Sequence, residues 1–252
     1  MTTTPIPEAG NTAEQPAPIG AVGRMSGVLI SPKPTFENIV ARPSWFAPLA
    51  VLCVLSIAII AIFSQRVGWR GLLERQFEKN PRTANLPPDQ REQALDRAVK
   101  FAPPFTYAAV AIGTFLYPVI AAAVMLGAFN LLAGARLNYK TALGVVAHSW
   151  MPFFVAGLLA LILLFVKSPD SIDLEHLVAS NPGAFLSDDS PRWLMTLLTS
   201  LDLFTFWVLI LQGIGFSAAN PKKVSFAKGL TIVMAAWAVY VLVKVAWVGA
   251  FS

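Results

Sequence analysis

The most constraining feature of this chain is a set of apolar runs, each roughly 20 residues or longer and nearly free of ionised side chains. That is the length a helix needs to cross about 30 Å of hydrocarbon. The runs lie at 45–64, 105–133, 141–166, 197–218 and 229–251. A soluble core would show shorter, periodic runs and more charge, whereas here 56% of the 252 residues are hydrophobic and only 13% are charged. The pattern predicts an all-α, polytopic membrane protein: a bundle of five transmembrane helices, with short amphipathic helices in its loops. Trp45, Trp193 and Trp247 fall near span ends, where interfacial aromatics belong. The second run contains Pro118, which predicts a tilt or kink whose freed backbone groups neighbouring helices satisfy.

Residues 1–23 are dominated by Thr, Pro, Ala and Gly, too poor in large apolar side chains to fold, and are expected to form a disordered tail ahead of a 24–252 transmembrane domain. No basic cluster precedes a short apolar core, so the first span reads as an uncleaved anchor. The net charge of +5 is modest, and the basic residues sit in loops beside spans, where anionic headgroups attract them. This excludes a nucleic-acid footprint and makes membrane lipid the expected partner. A single cysteine, Cys53, excludes an intrachain disulfide framework.

Orientation rests on Lys and Arg in the short flanking segments. Arg24, Lys33 and Arg42 precede the first span, Arg136 and Lys140 join the second and third, and Lys222, Lys223 and Lys228 join the fourth and fifth. With five spans all three segments share one face, predicting a cytoplasmic N-terminus and an outer C-terminus. The 65–104 loop runs against this, because it carries eight basic residues on the outer face that its five acids only partly offset.

Between tail and first span, Phe36, Ile39 and Val40 recur at helical spacing after Pro32 and Pro34. Such a segment can lie along the membrane surface, with Phe36 and Ile39 toward the acyl chains and Lys33, Glu37 and Arg42 among headgroups; a simple loop is the alternative. In the 65–104 loop, Trp69, Leu72, Leu73 and Phe77 form one apolar stripe, and Ala94, Leu95, Ala98 and Val99 form another after Pro87 and Pro88. They predict two short helices that cap the bundle or face a partner. A helical turn around 173–179 and a chain turn at Asn181, Pro182 and Gly183 are expected in the next outer loop.

The run Ser31, Pro32, Phe36, Ile39, Pro43, Trp45 and Pro48 resembles the lead-in to the first span of bacterial members of the Yip family, the Ypt/Rab-interacting membrane proteins. So do residues 139–147 with Pro152, and Asp202, Phe204, Trp207, Leu211, Gly213 and Gly215 followed by Ser225 and Lys228. The resemblance implies a five-helix bundle with a cytoplasmic N-terminal region and almost nothing beyond the last span. It also implies a noncatalytic, interaction or membrane-organising role akin to trafficking, with other membrane or membrane-associated proteins as partners. Eukaryotic relatives are associated with small GTPases; a bacterial member would lack that partner. Whether the chain pairs with a second copy of itself stays open.

Polar groups inside spans are the remaining functional signal, because an ionisable group at depth is costly. Asp202 and Lys244 fall at similar depth in the outer halves of the last two spans, where they can form an ion pair, snorkel separately, or leave Asp202 as an ion site. Asn130, His148 and Gln212 overlap in depth toward the inner face and can converge on a polar pocket, with interhelical hydrogen bonding the simplest role. A lone histidine is no metal site, and no HExxH spacing or Cys/His cluster occurs, so neither metal nor cofactor is expected. One carboxylate inside a span supplies no second acid, and no GxSxG or phosphate-cradling motif occurs, so enzymatic activity is not expected. A small transporter or channel-like permease is the alternative, with Gly213 and Gly215 loosening span four, although small residues equally serve close packing.

Overall fold

The computed structural model describes residues 19–168, 172, 177–187 and 189–251. Among these the chain is all helix and connecting turns. Helices α1 (Ala21–Ile30) and α2 (Pro32–Ala41) lead into α3 (Phe46–Val67). Then come α4 (Trp69–Lys79), the single turn α5 (Pro81–Ala84), α6 (Pro88–Ala133), α7 (Tyr139–Ser149) and α8 (Met151–Val166). A 3-10 turn at Pro182–Phe185 precedes α9 (Arg192–Ser200), α10 (Leu203–Ala219) and α11 (Phe226–Phe251).

Four helical stretches are long and apolar enough to cross a membrane: α3, α6, α7 with α8, and α11. The pair α9–α10, bent by 49°, makes a fifth if its halves form one span. The third stretch is interrupted at Trp150, because Pro152 lacks the N–H that would bond back to the preceding turn. Large side chains point outward from α6 and α11, among them Ile112, Tyr117, Val239 and Val243, as they do on helices that face hydrocarbon.

The second short helix expected in the 65–104 loop is not separate. Its stripe forms the first turns of α6, which runs unbroken through Pro103, Pro104 and Pro118 for 46 residues. At 1.5 Å per residue that is about 70 Å, so roughly half of α6 projects past the hydrocarbon. The α4 helix lies against this projection. Trp69 meets Tyr107 edge to face at 6.3 Å, and Arg70 pairs with Glu74, Glu92 and Asp96. Asp96, first, raises the Arg70 pKa, but the cluster is solvent-exposed and holds orientation more than stability. Leu73 is buried, and Phe63, Leu164, Ile172 and Leu177 form an apolar cluster separate from the main core. The turn expected at 181–183 falls in the 3-10 turn; of the helical turn expected around 173–179, residues 173–176 lie outside the described residues, as do 1–18 of the expected tail. Residues 21–23 of that tail are the first turn of α1.

The main departure from expectation concerns α1 and α2. Phe36 and Ile39 do not dip into the acyl layer: both are 0% exposed and belong to the main core with Val28, Phe129, Val145 and Phe216. The two helices form a hairpin packed into one end of the bundle, α2 against α7 and α10, α1 against α2, α3, α7 and α8. Small residues allow this. A Cβ on Gly215 would stand 2.5 Å from Val145 Cγ1 and 2.9 Å from Phe36 Cδ1, and one on Gly27 would stand 2.6 Å from Thr35 Oγ1. With α1 and α2 completing its shell, α7 is buried at every residue from Thr141 to Ser149.

Candidate functional site

The polar side chains buried in this molecule concentrate where the α1–α2 hairpin meets the bundle. Among the described residues they are Arg24, Thr35, Asn38, Thr141, His148, Ser149 and Gln212. Arg24, 7% exposed, acts as a clamp. Its Nε donates to Asn38 Oδ1 at 3.1 Å, and its Nη1 donates to the Arg42 carbonyl and to Ser44 Oγ, each at 2.8 Å. One side chain on α1 thus fixes the middle of α2, its C-terminal cap and the turn into α3. No carboxylate of the described residues pairs with it. Burial, and then the neighbouring Arg42 cation, lower its pKa, although guanidinium stays charged at any working pH. The sequence placed Arg24 among flanking basic residues; its partners Asn38 and Ser44 give no periodic signal.

His148 is wholly buried. Its Nδ1–H donates to the Gly144 carbonyl one turn back at 2.9 Å, which leaves Nε2 as an acceptor, and that atom has no partner. Gln212 Oε1 is likewise buried without a partner. The two are at one level. Val145 on α7 abuts Gly215 on α10, the helices run in opposite directions, and His148 and Gln212 lie three residues from that contact toward the same end, on the same faces. Asn130 does not join them. Its Nδ2 donates to the Leu137 carbonyl at 3.1 Å and its Oδ1 accepts the Leu137 N–H at 2.7 Å, so both polar ends are consumed in closing the α6–α7 turn.

That turn is tied to the next connection on the same face. Gly134 ends α6 in the left-handed region, with φ +58°, as a helix C-terminus favours. Asn220 Nδ2 donates to the Ala135 carbonyl and Lys223 Nζ to the Gly134 carbonyl, each at 2.8 Å. The hairpin, the α6–α7 turn and the α10–α11 turn therefore form one knitted end of the bundle, which exposes Lys33, Arg136, Lys140, Lys222 and Lys228.

Asp202 and Lys244 are not an ion pair. Asp202 sits in the break before α10 as its N-cap, where Oδ1 accepts the Thr205 N–H at 2.9 Å and Oδ2 accepts from Ser180 Oγ. Lys244 is exposed on α11, and no salt bridge among the described residues involves it. A carboxylate already engaged at a helix start has little left for a distant cation. Asp202→Ala should cost about 1 kcal/mol or somewhat more, Lys244→Gln almost nothing, and their effects should add to within about 0.5 kcal/mol. Denaturant unfolding of the two single variants and the double variant in mixed detergent checks this; a coupling above about 1 kcal/mol would restore the pair.

The residues that carry the family resemblance are packing residues of this same end and of the helix that leads to it. Pro32 begins α2, Trp45 caps α3, Pro48 and Pro152 are buried early in α3 and α8, and Phe204 is buried near the start of α10. Trp207 is half-buried against the main core, and Gly215 admits Phe36. Gly213 serves a similar purpose, since a Cβ there would stand 3.1 Å from Leu230 Cα on α11; α10 runs through both glycines without interruption. Among the described residues, no three His, Cys, Asp or Glu side chains group so as to hold a metal ion. The family model described as the Yip1 domain matches residues 26–248. Neither a curated protein nor a solved structure matches the chain.

Proposed function

The chain belongs to the Yip1-domain family, and from that premise we propose that it is a noncatalytic, multi-pass membrane protein whose α1–α2 end recruits other membrane or membrane-associated proteins. Yip-family proteins interact with membranes and with Ypt/Rab-type partners. The observation that carries the reading is the Arg24 clamp. A helical hairpin that could have floated on the membrane is instead locked into the core, so that three connections present a fixed cationic surface. Preorganisation of this kind lowers the ordering cost of binding. The surface faces the cytoplasm, as the gathering of Lys and Arg at this end supports, in a bacterial cytoplasmic membrane, as the long outer loop supports.

Affinity purification from mild detergent, followed by mass spectrometry, tests this. Removing 24–41 would take out core residues, so exposed charges are the informative handle. A reproducible protein partner should be retained by the parent chain and lost when Arg136→Glu and Lys140→Glu are combined. A partner unaffected by that reversal, or none at all, contradicts the reading. One observation favours a second reading, that of a small permease. Two acceptors, His148 Nε2 and Gln212 Oε1, are buried and unpartnered, as atoms awaiting a solute's hydrogen-bond donor would be. Solute flux lost in His148→Leu at unchanged expression would support it.

A further inference from the structure

A groove of about 620 Å³ opens between α2 and the α10–α11 turn. Its floor is apolar, formed by Ile214, Ala218, Val224 and Phe226, and Lys33 and Glu37 stand on its α2 side. Its depth can be placed. Ala219 ends one candidate span and Phe226 begins the next, so this turn marks a membrane interface, and Ile214, five residues before Ala219, lies about 8 Å further in. The groove therefore runs from headgroup level into acyl level.

Charge at its mouth selects among occupants. Lys33 and Glu37 are four residues apart on one face of α2, yet no ion pair among the described residues joins them. Lysine ahead of glutamate is the less favourable order for such a pair. Lys222 and Lys228 stand exposed in and just after the turn whose Pro221, Val224 and Ser225 line the groove. Lys33 thus stands in the groove beside one carboxylate, and two further cations, Lys222 and Lys228, lie on the turn and helix start that supply its other wall. We propose that this groove is a binding site for one anionic glycerophospholipid, its phosphate against Lys33 and one acyl chain along the Ile214–Phe226 floor. The volume lies within the range of sites that enclose small ligands, and basic pockets between membrane helices bind anionic headgroups by the same balance of charge and apolar surface.

The site rests on the membrane-embedded bundle alone, so it stands or falls separately from protein recruitment, which has its own readout. Native mass spectrometry of the full chain in detergent, titrated with dioleoyl phosphatidylglycerol or dioleoyl phosphatidylcholine, tests it. One phosphatidylglycerol should be retained about five- to tenfold more strongly than phosphatidylcholine. Reversing the Lys33 charge with Lys33→Glu should abolish that preference, one surface cation contributing about fivefold. Ala218→Leu should weaken both lipids by filling the floor, while Lys140→Glu, on the same face but outside the groove, should change neither. No lipid preference in the parent, unchanged retention in Lys33→Glu, or equal losses in Lys33→Glu and Lys140→Glu would overturn the site. So would lipid uptake seen only after residues 1–18 are removed, because the occupant would then be the chain's own N-terminal segment.

Discussion

Replacing Arg24 with alanine will lower the stability of the detergent-solubilised protein by about 3 kcal/mol. The substitution removes one hydrogen bond at a buried contact, to Asn38 Oδ1, and two at part-buried ones, to the Arg42 carbonyl and Ser44 Oγ. A bond to a charged group contributes about 1.5–3 kcal/mol where buried and less where water can replace it. Part of that is offset, because the guanidinium no longer has to be desolvated. Three variants separate the contributions. Arg24→Met keeps the aliphatic stem and loses the hydrogen bonds, so it should fall nearly as far as alanine if bonding dominates packing. Arg24→Lys keeps the charge on a single ammonium that cannot span three acceptors in the planar fork's geometry, so it should recover less than half of the loss. Asn38→Leu combined with Arg24→Ala should be less damaging than the sum of the two, because each removes the same bond. Unfolding midpoints in a mixed-detergent series read all three.

The second large effect belongs to Phe36. Truncation to alanine removes a fully buried ring that packs against Gly215 beside Val145, and such losses in cores cost about 3–5 kcal/mol. Phe36→Leu should cost much less, because most of the volume stays. The pair distinguishes two positions for α2. If Phe36 lay in the acyl layer, truncation would loosen one segment from the membrane and leave the unfolding of the bundle unchanged. Buried as it is, the whole bundle should unfold earlier.

These two residues also mark where the sequence was legible and where it was not. The long spans could be read because length and apolarity without charge have one economical explanation. The α4 stripe of Trp69, Leu72, Leu73 and Phe77 appears as a helix over Trp69–Lys79 for the same kind of reason. The depth of α2 could not be read, since ten residues with Phe36 and Ile39 on one face suit a membrane surface and a packed core equally. The distinguishing signal lay in distant small residues, Gly215 opposite Phe36 and Gly144 opposite Ile39, which periodicity does not register.

Asp202 was misread for a simpler reason. Placed by hydropathy it sits inside a span, but an aspartate directly ahead of Leu203, Phe204 and Thr205 is also a helix-start residue, and α10 begins there. The second apolar run begins at Phe105, which read as the start of a helix, yet α6 continues back through Pro104 and Pro103 to Pro88, with α4 packed along that extension. Asn130 looked like a member of a polar pocket because depth along a span says nothing about direction around it; its true partner, Leu137, is seven residues along the chain.

The central claim is that the α1–α2 hairpin belongs to the bundle core and holds one end of it rigid. A Cβ built on Gly144 of α7 lies 3.5 Å from the Cβ of Pro43, in the turn that leaves α2, at the short end of the 3.5–4.5 Å that disulfides span. The most direct test is mild oxidation of a chain carrying Pro43→Cys and Gly144→Cys, with the one native thiol removed by Cys53→Ala, in native membranes. The account predicts an intramolecular disulfide in nearly every molecule, seen as a mobility shift that reductant reverses. A chain that stays unbridged while each single-cysteine variant accumulates normally would contradict it, and would return α1 and α2 to the membrane surface.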